Sequence, residues 1–580
     1  MDKLNKVQKE AVEKIDGPVL ILAGAGSGKT RVLTYRVAHL IEQGVSPENI
    51  LLVTFTNKAA NEMKERLLKI LDSVRMTTAG TFHSLCVKIL KSENYKFIIY
   101  DDNDSLDLIK EIMKKMDLST KNFNPSAVAG TIGQAKNQLI GALEYPQYAR
   151  GYFQETVSRI YLSYQKALKE NEALDFDDLI METVKLFKKS PEILGKYQEK
   201  FKYILVDEYQ DTNHAQFELT RLLARRYQNI CVVGDFSQSI YSWRGADYHN
   251  LLHFKSEFPS VVTFNLDQNY RSSQKILDAA YGIISKNKSH PILKLWTDNS
   301  GGEKINLYEA RNEQDEAQYI LKQIGASGKR LDSFAVLYRT NAQSRVLEEA
   351  FLHNGIPYVL VGGTRFYERK EIKDLIAYLR VLHNPKDGVS YRRIEKIGKN
   401  RLQNFESRIL NLESRATLEL LDKIVEATNY LDLFDDKDEE DLQRLENIKE
   451  LRSVAEEFPV LTDFLENVVL VEKESRRRED TNAVTLMTLH AAKGLEFNTV
   501  FMVGMEEGIF PHSRSTMDLL EIEEERRLCY VGITRAREKL HLSYARRRLF
   551  FGARSQNTVS RFVSDIPEDL INMVVAEGDY

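Results

Sequence analysis

The sequence predicts an α/β protein with two parallel-sheet cores, each interrupted by a mostly helical insertion. Three observations carry that expectation. Short apolar runs alternate with amphipathic helical stretches between turn signals, the pattern of βαβ units. The alternation stops twice, over about 86–172 and 381–481, where the chain reads as helix alone. Between the two interruptions a fresh set of strand-like runs begins, near residue 334.

In chain order, GPVLILA (17–23) reads as a buried strand, followed by a glycine-rich turn and a helix ending at Gly44. NILLVTFT (49–56) is the next strand and KAANEMKERLLKIL (58–71) the next helix. YILVDE (203–208), ICVVGD (230–235) and VVTFNL (261–266) complete the first set. The second set is FAVLYR (334–339), PYVLVGG (357–363), AVTLMTLH (483–490), TVFMVGM (499–505) and LHLSYA (540–545). The expected division is a first core of 1–85 and 173–269 with insertion 86–172, and a second core of 270–380 and 482–580 with insertion 381–481. An acidic run (435–446) and the triplet Arg476 to Arg478 in the second insertion read as solvated helix faces.

Composition narrows the class. The 580 residues admit about four domains. With 43% hydrophobic and 29% charged residues the chain is globular rather than disordered. No apolar run approaches the roughly 20 residues of a membrane span, and the polar N-terminus is unlike a secretory signal. Cys86, Cys231 and Cys529 match neither a disulfide framework nor a zinc pattern, so a cytoplasmic protein with reduced thiols is expected. Lys and Arg number 81 against 85 Asp and Glu, a net charge of −4. A nucleic-acid site would therefore have to be a local basic and aromatic groove.

AGAGSGKT (23–30) lies between a strand and a helix, the setting of a phosphate-binding loop, with Ala23 in place of the usual first glycine. Backbone N–H groups of Ala25, Gly26, Ser27 and Gly28 would close around phosphate oxygens at the helix N-terminus. Lys29 would reach the β- and γ-phosphates, and the Thr30 hydroxyl would coordinate Mg²⁺. ILVDEYQD (204–211) supplies the second half: a strand delivers Asp207 for the Mg²⁺ and Glu208 to deprotonate the attacking water. The pair predicts a Mg²⁺-dependent nucleoside triphosphatase.

With these motifs the chain resembles the UvrD/Rep/PcrA-type superfamily 1 DNA helicases. The resemblance rests on a dozen motifs in order, among them LNKVQ (4–8), TFTNKAANEM (54–63), AGTFHSLC (79–86), LDFDDLI (174–180) and VVGDFSQSIYSWRGA (232–246). LDQNYRS (266–272), LYRTNAQSR (337–345), VTLMTLHAAKGLEF (484–497) and EEERRLCYVGITRAREKL (523–540) continue it. It implies two RecA-like motor domains that use ATP and Mg²⁺ to move 3′→5′ on single-stranded DNA and unwind duplexes. By resemblance Gln8 reads the adenine edge, Tyr270 stacks on it and Arg31 lies near the nucleotide. Gln238 senses the γ-phosphate, Arg271 and Arg535 act as arginine fingers, and Glu496 binds the ribose. A finger in related phosphoryl transfer is worth roughly 10³–10⁵ in rate.

Sequence-independent single-strand binding needs aromatic platforms and a cationic path. Tyr241, Trp243 and Arg244 supply both within four residues. The resemblance adds stacking on Phe55 and contacts from Thr81, Phe82, His83, Asn341, Arg345 and His490, although Phe55 and Phe82 also read as core. Phe551 matches the pin that splits the duplex, with Phe550 as the alternative. The expected partners are single-stranded DNA and single-strand/duplex junctions, with the protein a monomer or weak dimer. The second insertion, about 100 residues, is shorter than in typical members, so a translocase that strips bound proteins and unwinds poorly alone is the rival.

Overall fold

The computed structural model describes residues 4–71, 78–120, 122–409, 416–436, 438–475 and 482–575. Arg476 to Arg478 lie outside the described residues. The chain forms two compact units, Met1–Tyr270 with His290–Asp298, and Arg271–Ser289 with Asn299–Tyr580. It thus passes from one to the other at 270/271, 289/290 and 298/299.

The first unit is built on six parallel strands: β1 (Val19–Ala23), β2 (Ile50–Thr54), β3 (Thr78–Thr81), β4 (Tyr203–Val206), β5 (Ile230–Gly234) and β6 (Val262–Leu266). Their order is β3-β2-β4-β5-β1-β6. Every residue of β1, β2 and β5 is buried, as befits a parallel sheet covered on both faces. Alternation along each strand divides the core in two. Leu20, Leu51, Val53, Ile204 and Val206 face one layer of helices. Val19, Ile21, Ile50, Leu52 and Leu205 face the other.

Helices Asp102–Lys115, Pro125–Asn137 and Gly151–Glu170 form a separate core around Ile109, Val128, Ile132, Val157 and Ile160. Buried Lys136 ties this layer to the next helix, 2.6 Å from Asp175 and 2.8 Å from Asp178.

The second unit holds seven parallel strands: β7 (Ile305–Ala310), β8 (Phe334–Tyr338), β9 (Tyr358–Val361), β10 (Val484–Thr488), β11 (Phe497–Met502), β12 (Ala536–Ala545) and, after the hairpin strands β13 (Arg548–Phe550) and β14 (Ala553–Ser555), β15 (Ile571–Val575). The sheet order is β9-β10-β8-β11-β12-β7-β15. β13 and β14 pair antiparallel apart from it. Helices between Gly388 and Ser475 pack around Phe405, Leu421, Ile424, Leu451, Val454 and Phe464. The helix Lys370–His383 lends Ile372, Leu375 and Leu379 to that same core, so the helical layer begins before residue 381. Gly398 joins the helices Gly388–Ile397 and Lys399–Arg408.

All three cysteines are buried and free. Burial pushes the Cys86 thiol up to about 12 and raises Cys231 and Cys529 as well. Among the described residues no helix is long and apolar enough to cross a membrane.

His541, inside β12, stacks on Phe501 at 4.6 Å and shares a 2.9 Å hydrogen bond with the Tyr319 hydroxyl. Burial lowers its imidazole to about 4. The unfolded chain therefore binds the proton first, and stability falls as pH drops from about 6.5 towards 4. Replacing His541 by Gln should remove about 2 kcal/mol of the loss between pH 7 and pH 5. Denaturant titrations of both proteins at the two pH values check this; parallel acid limbs would contradict it.

Candidate functional site

The C-terminal ends of all six strands of the first sheet carry the residues singled out in the sequence, at the edge where open α/β sheets bind ligands. After β1 the chain turns through Gly26 and Gly28, with φ +66° and +84°, into the helix Lys29–Glu42. Gly28 is its N-cap and offers no capping side chain. The first N–H groups of a helix have no intrahelical acceptor, so this end suits an anion. A Cβ on Gly24 would lie 2.4 Å from the Leu295 side chain, which would have to shift to admit any other residue there.

The loop's carbonyls are held by three partners. Ala25 O accepts from Asn269 Nδ2 (2.7 Å), Gly26 O from the Tyr270 N–H (3.0 Å) and Ser27 O from Gln8 Nε2 (2.9 Å). Asn269 and Tyr270 reach the loop because β6 runs beside β1 in register, Ala23 opposite Leu266. Gln8 is buried, and its Oε1 accepts from the Asn5 N–H, so its amide braces the loop. Tyr270 keeps an exposed ring with the Arg31 guanidinium 5.5 Å from its centroid. Its hydroxyl donates to Gln268, which in turn donates to Asp298. The segment 290–298 that supplies Leu295, Trp296 and Asp298 carries no recognisable motif and was missed in the sequence.

β4 delivers buried Asp207, whose N–H continues the ladder to Val53 O at 3.0 Å. Glu208 follows with φ +51°, a conformation uncommon for a non-glycine residue, and its Oε1 lies 4.0 Å from Lys29 Nζ. Its Oε2 accepts from Gln210 Nε2 at 2.5 Å. Gln210 Oε1 accepts from the Asp235 N–H (3.0 Å), and Asp235 Oδ2 from Gln238 Nε2 (2.6 Å). A hydrogen-bonded chain, buried from Gln210 onward, thus joins Glu208 to Gln238, which leads into the Tyr241–Arg244 loop. Gln210 was visible in VDEYQD, but only the pairing of β4 with β5 shows its work.

Thr30 and Asp207 offer hard oxygen donors of the kind Mg²⁺ takes. Among the described residues no group of three or more His, Cys, Asp or Glu could hold a metal ion without help. Mg²⁺ in phosphoryl-transfer sites draws its remaining ligands from phosphates and water, so the residues fit.

In the second unit Arg271 Nε lies 2.5 Å from Glu496, and its Nη1 donates to Thr534 O at 3.1 Å. Arg537 also pairs with Glu496. Partial burial works against ionisation, yet the two arginines hold the Glu496 carboxyl below the usual range. Arg535 is buried, donating from Nε to Val531 O (2.9 Å) and from Nη1 to Leu495 O (3.2 Å).

Of the expected DNA contacts, the Tyr241 loop stands out. Trp243 is 40% exposed, with the Arg244 guanidinium 4.4 Å above its ring and Tyr241 edge-on at 6.4 Å. Phe55 is half-buried beyond β2 and meets Phe82 edge-to-face at 6.4 Å. Two expectations are corrected. Phe82, the first residue of the helix Phe82–Ser92, is 3% exposed and packs into the core, where it supports Phe55 rather than presenting a face to DNA. Arg345 is 1% exposed and pairs with Glu450 (2.8 Å), Glu349 (3.0 Å) and Glu457 (3.3 Å). Two of these partners lie more than a hundred residues away, which is why the motif alone misleads.

Thr81 caps the helix after β3 by accepting from the Ser84 N–H, and burial lowers the imidazole of His83 beside it below its usual value. Asn341 donates to Gln443 at 2.7 Å, and His490 follows β10, half-buried. Phe550 and Phe551 stack at 3.8 Å where the β13–β14 hairpin turns.

Two parallel-sheet cores, one bearing a phosphate loop opposite an acidic pair, define a phosphate-loop α/β protein of the two-core type. The UvrD/REP helicase N-terminal domain matches residues 4–259, and the UvrD-like helicase C-terminal domain matches 264–437 and 430–547. The chain belongs to this UvrD-like helicase family. It is 46% identical to the ATP-dependent DNA helicase PcrA of Bacillus subtilis (strain 168), covering 98% of this chain and 86% of that protein. For PcrA of Staphylococcus epidermidis (strain ATCC 12228) identity is 45%, covering 98% and 87%. The Bacillus alignment runs over 639 positions, more than this chain's 580 residues, so that relative carries internal residues absent here.

Because Arg345 is an ion-pair hub, Arg345→Ala should destabilise the protein by about 3–5 kcal/mol. Denaturation alongside single-strand affinity tests this: weakened DNA binding at unchanged stability would restore the surface reading.

Proposed function

We propose that this protein is an ATP-dependent DNA helicase and single-stranded DNA translocase, coupling Mg-ATP hydrolysis to 3′→5′ movement and duplex unwinding. The carrying observation is the hydrogen-bonded chain Glu208–Gln210–Asp235–Gln238, which runs from the acid pair to the segment bearing Trp243. Short contacts, part-buried at Glu208 and buried from Gln210 onward, support a coupling of hydrolysis to strand binding, as a shift at one end of such a network is felt at the other.

The N–H groups of Ala25 to Gly28 and the Lys29 ammonium bind the phosphates. Thr30 and Asp207 hold Mg²⁺, which neutralises phosphate charge. Glu208 takes the proton of the attacking water, poised by Gln210 at one oxygen and Lys29 near the other. Gln8 braces the loop while Tyr270 stacks on the base, with Arg31 beside it. Arg271, Arg535 and Glu496 keep the roles the resemblance implies. Bases stack on Trp243, Tyr241 and Phe55, while Arg244, Thr81, His83, Asn341 and His490 meet the backbone or bases, and Phe551 splits the duplex. The setting is cytoplasmic DNA repair, replication or recombination, on single strands and junctions, by a monomer or weak dimer.

A second reading, a translocase that displaces proteins and unwinds poorly alone, is favoured by the internal residues present in the Bacillus relative and absent here. ATPase assays with and without single-stranded DNA, beside unwinding of 3′- and 5′-tailed duplexes, separate the two. Stimulation with unwinding from the 3′ tail only is expected; stimulation without unwinding selects the translocase. Glu208→Gln should abolish turnover while nucleotide still binds, and retained turnover would remove Glu208 as the base. Trp243→Ala should weaken single-strand binding by about 1–3 kcal/mol, read from a fluorescence titration.

A further inference from the structure

An isolated two-stranded hairpin is marginal in water, so the β13–β14 hairpin must be held by its surroundings. Its base is held by the second core. Arg548 lies 2.6 Å from Glu506 and 2.7 Å from Glu316, and the Leu549 N–H donates to Glu313 at 3.1 Å. Its tip is held differently. Phe551 and Gly552 form a two-residue turn with φ +58° and +73°, the left-handed geometry of a tight hairpin. For phenylalanine that conformation costs energy and persists only where neighbours impose it.

Three residues of one helix of the second insertion, Glu439–Glu457, meet the tip. The Gly552 N–H donates to the buried Ser453 hydroxyl at 2.9 Å. Lys449 Nζ lies 5.5 Å from the centroid of the Phe551 ring. A Cβ on Gly552 would sit 2.9 Å from Arg452 Cβ, so the helix and the turn are in direct contact. Arg452 is itself anchored to Asp422 at 2.8 and 2.9 Å. The Ser453 hydroxyl also donates to Glu450 (3.4 Å), which the buried Arg345 pairs at 2.8 Å. The tip is therefore fastened, through one serine, to the ion-pair hub that joins the insertion to the second core.

We propose that Ser453 is a positioning residue for strand separation: its hydroxyl sets the Phe551–Gly552 turn, so that the second insertion aims the aromatic pair. This rests on the reading of Phe551 as the residue that splits the duplex. Loss of the hydroxyl takes the acceptor from the half-buried Gly552 N–H and lets the turn relax, which misdirects the pair without touching nucleotide or single strand.

The test compares Ser453→Ala, Ser453→Thr, Lys449→Ala and Phe551→Ala in the full chain. Ser453→Ala should unwind a 3′-tailed duplex about tenfold more slowly, with DNA-stimulated ATPase and thermal midpoint close to the parent. Ser453→Thr, which keeps the hydroxyl, should restore unwinding. Hydrogen exchange at Gly552, followed by mass spectrometry, should accelerate in Ser453→Ala whether or not the parent unwinds. Unchanged exchange, equal loss of ATPase and unwinding, or normal unwinding by Ser453→Ala where Phe551→Ala is defective would each overturn the proposal. Normal unwinding by Phe551→Ala would instead overturn the splitting role on which it rests. Should Ser453→Ala fail to fold, exposed Lys449→Ala must show the same selective defect, and wild-type behaviour there would count against it.

Discussion

A phosphate loop can offer its N–H groups to an anion only if its carbonyls are turned elsewhere, and the rest of the first site depends on how that is done. Three consecutive carbonyls, of Ala25, Gly26 and Ser27, each accept a hydrogen bond from Asn269, Tyr270 or Gln8. Two of these donors arrive because β6 lies beside β1, and the third because the first helix, Lys6–Glu13, is anchored by its own Asn5–Gln8 capping box. Leu295 fills the space a side chain on Gly24 would need. The loop is thus an outcome of strand order as much as of its own glycines.

The same logic places the coupling chain. Asp207 and Asp235 end adjacent strands β4 and β5, so short side chains suffice to connect them. Gln210 does so with both ends of its amide, donating to Glu208 and accepting from the Asp235 N–H. A neutral amide can do both at its two ends in a buried setting, where an unpaired carboxylate would be expensive.

Much of this was legible in the sequence. The strand runs, the loop and the acid pair follow from local periodicity and from turn residues whose geometry is intrinsic. Short edge strands were harder: β3 is four residues of Thr, Ala and Gly, with too little apolar character to register. β7 and β15 escaped for a related reason, since their burial depends on neighbours: Met573 and Val575 of β15 are exposed at the sheet edge. Side-chain fate was least legible of all. Arg345 and Phe82 sit in motifs that suggest a surface, yet ion-pair partners distant in sequence, or packing into the first core, take them inside. No local pattern encodes that. The segment 290–298 fails the same way, because its work is backbone bonding, one leucine contact and an Asp298 carboxylate whose partner, Gln268, only the fold brings near.

The three buried thiols carry a consequence of a different kind. With Cys86 held near 12 and Cys231 and Cys529 raised, almost no thiolate exists in the native protein at neutral pH. Cys86 lies on the helix Phe82–Ser92, Cys231 on the central strand β5 and Cys529 on the helix Leu519–Ile533 of the second unit. Alkylation of each can proceed only as fast as its own layer opens to solvent. The chain therefore carries three built-in clocks for local unfolding, one beside the β3 edge, one at the sheet centre and one in the second unit, against an otherwise silent chemical background.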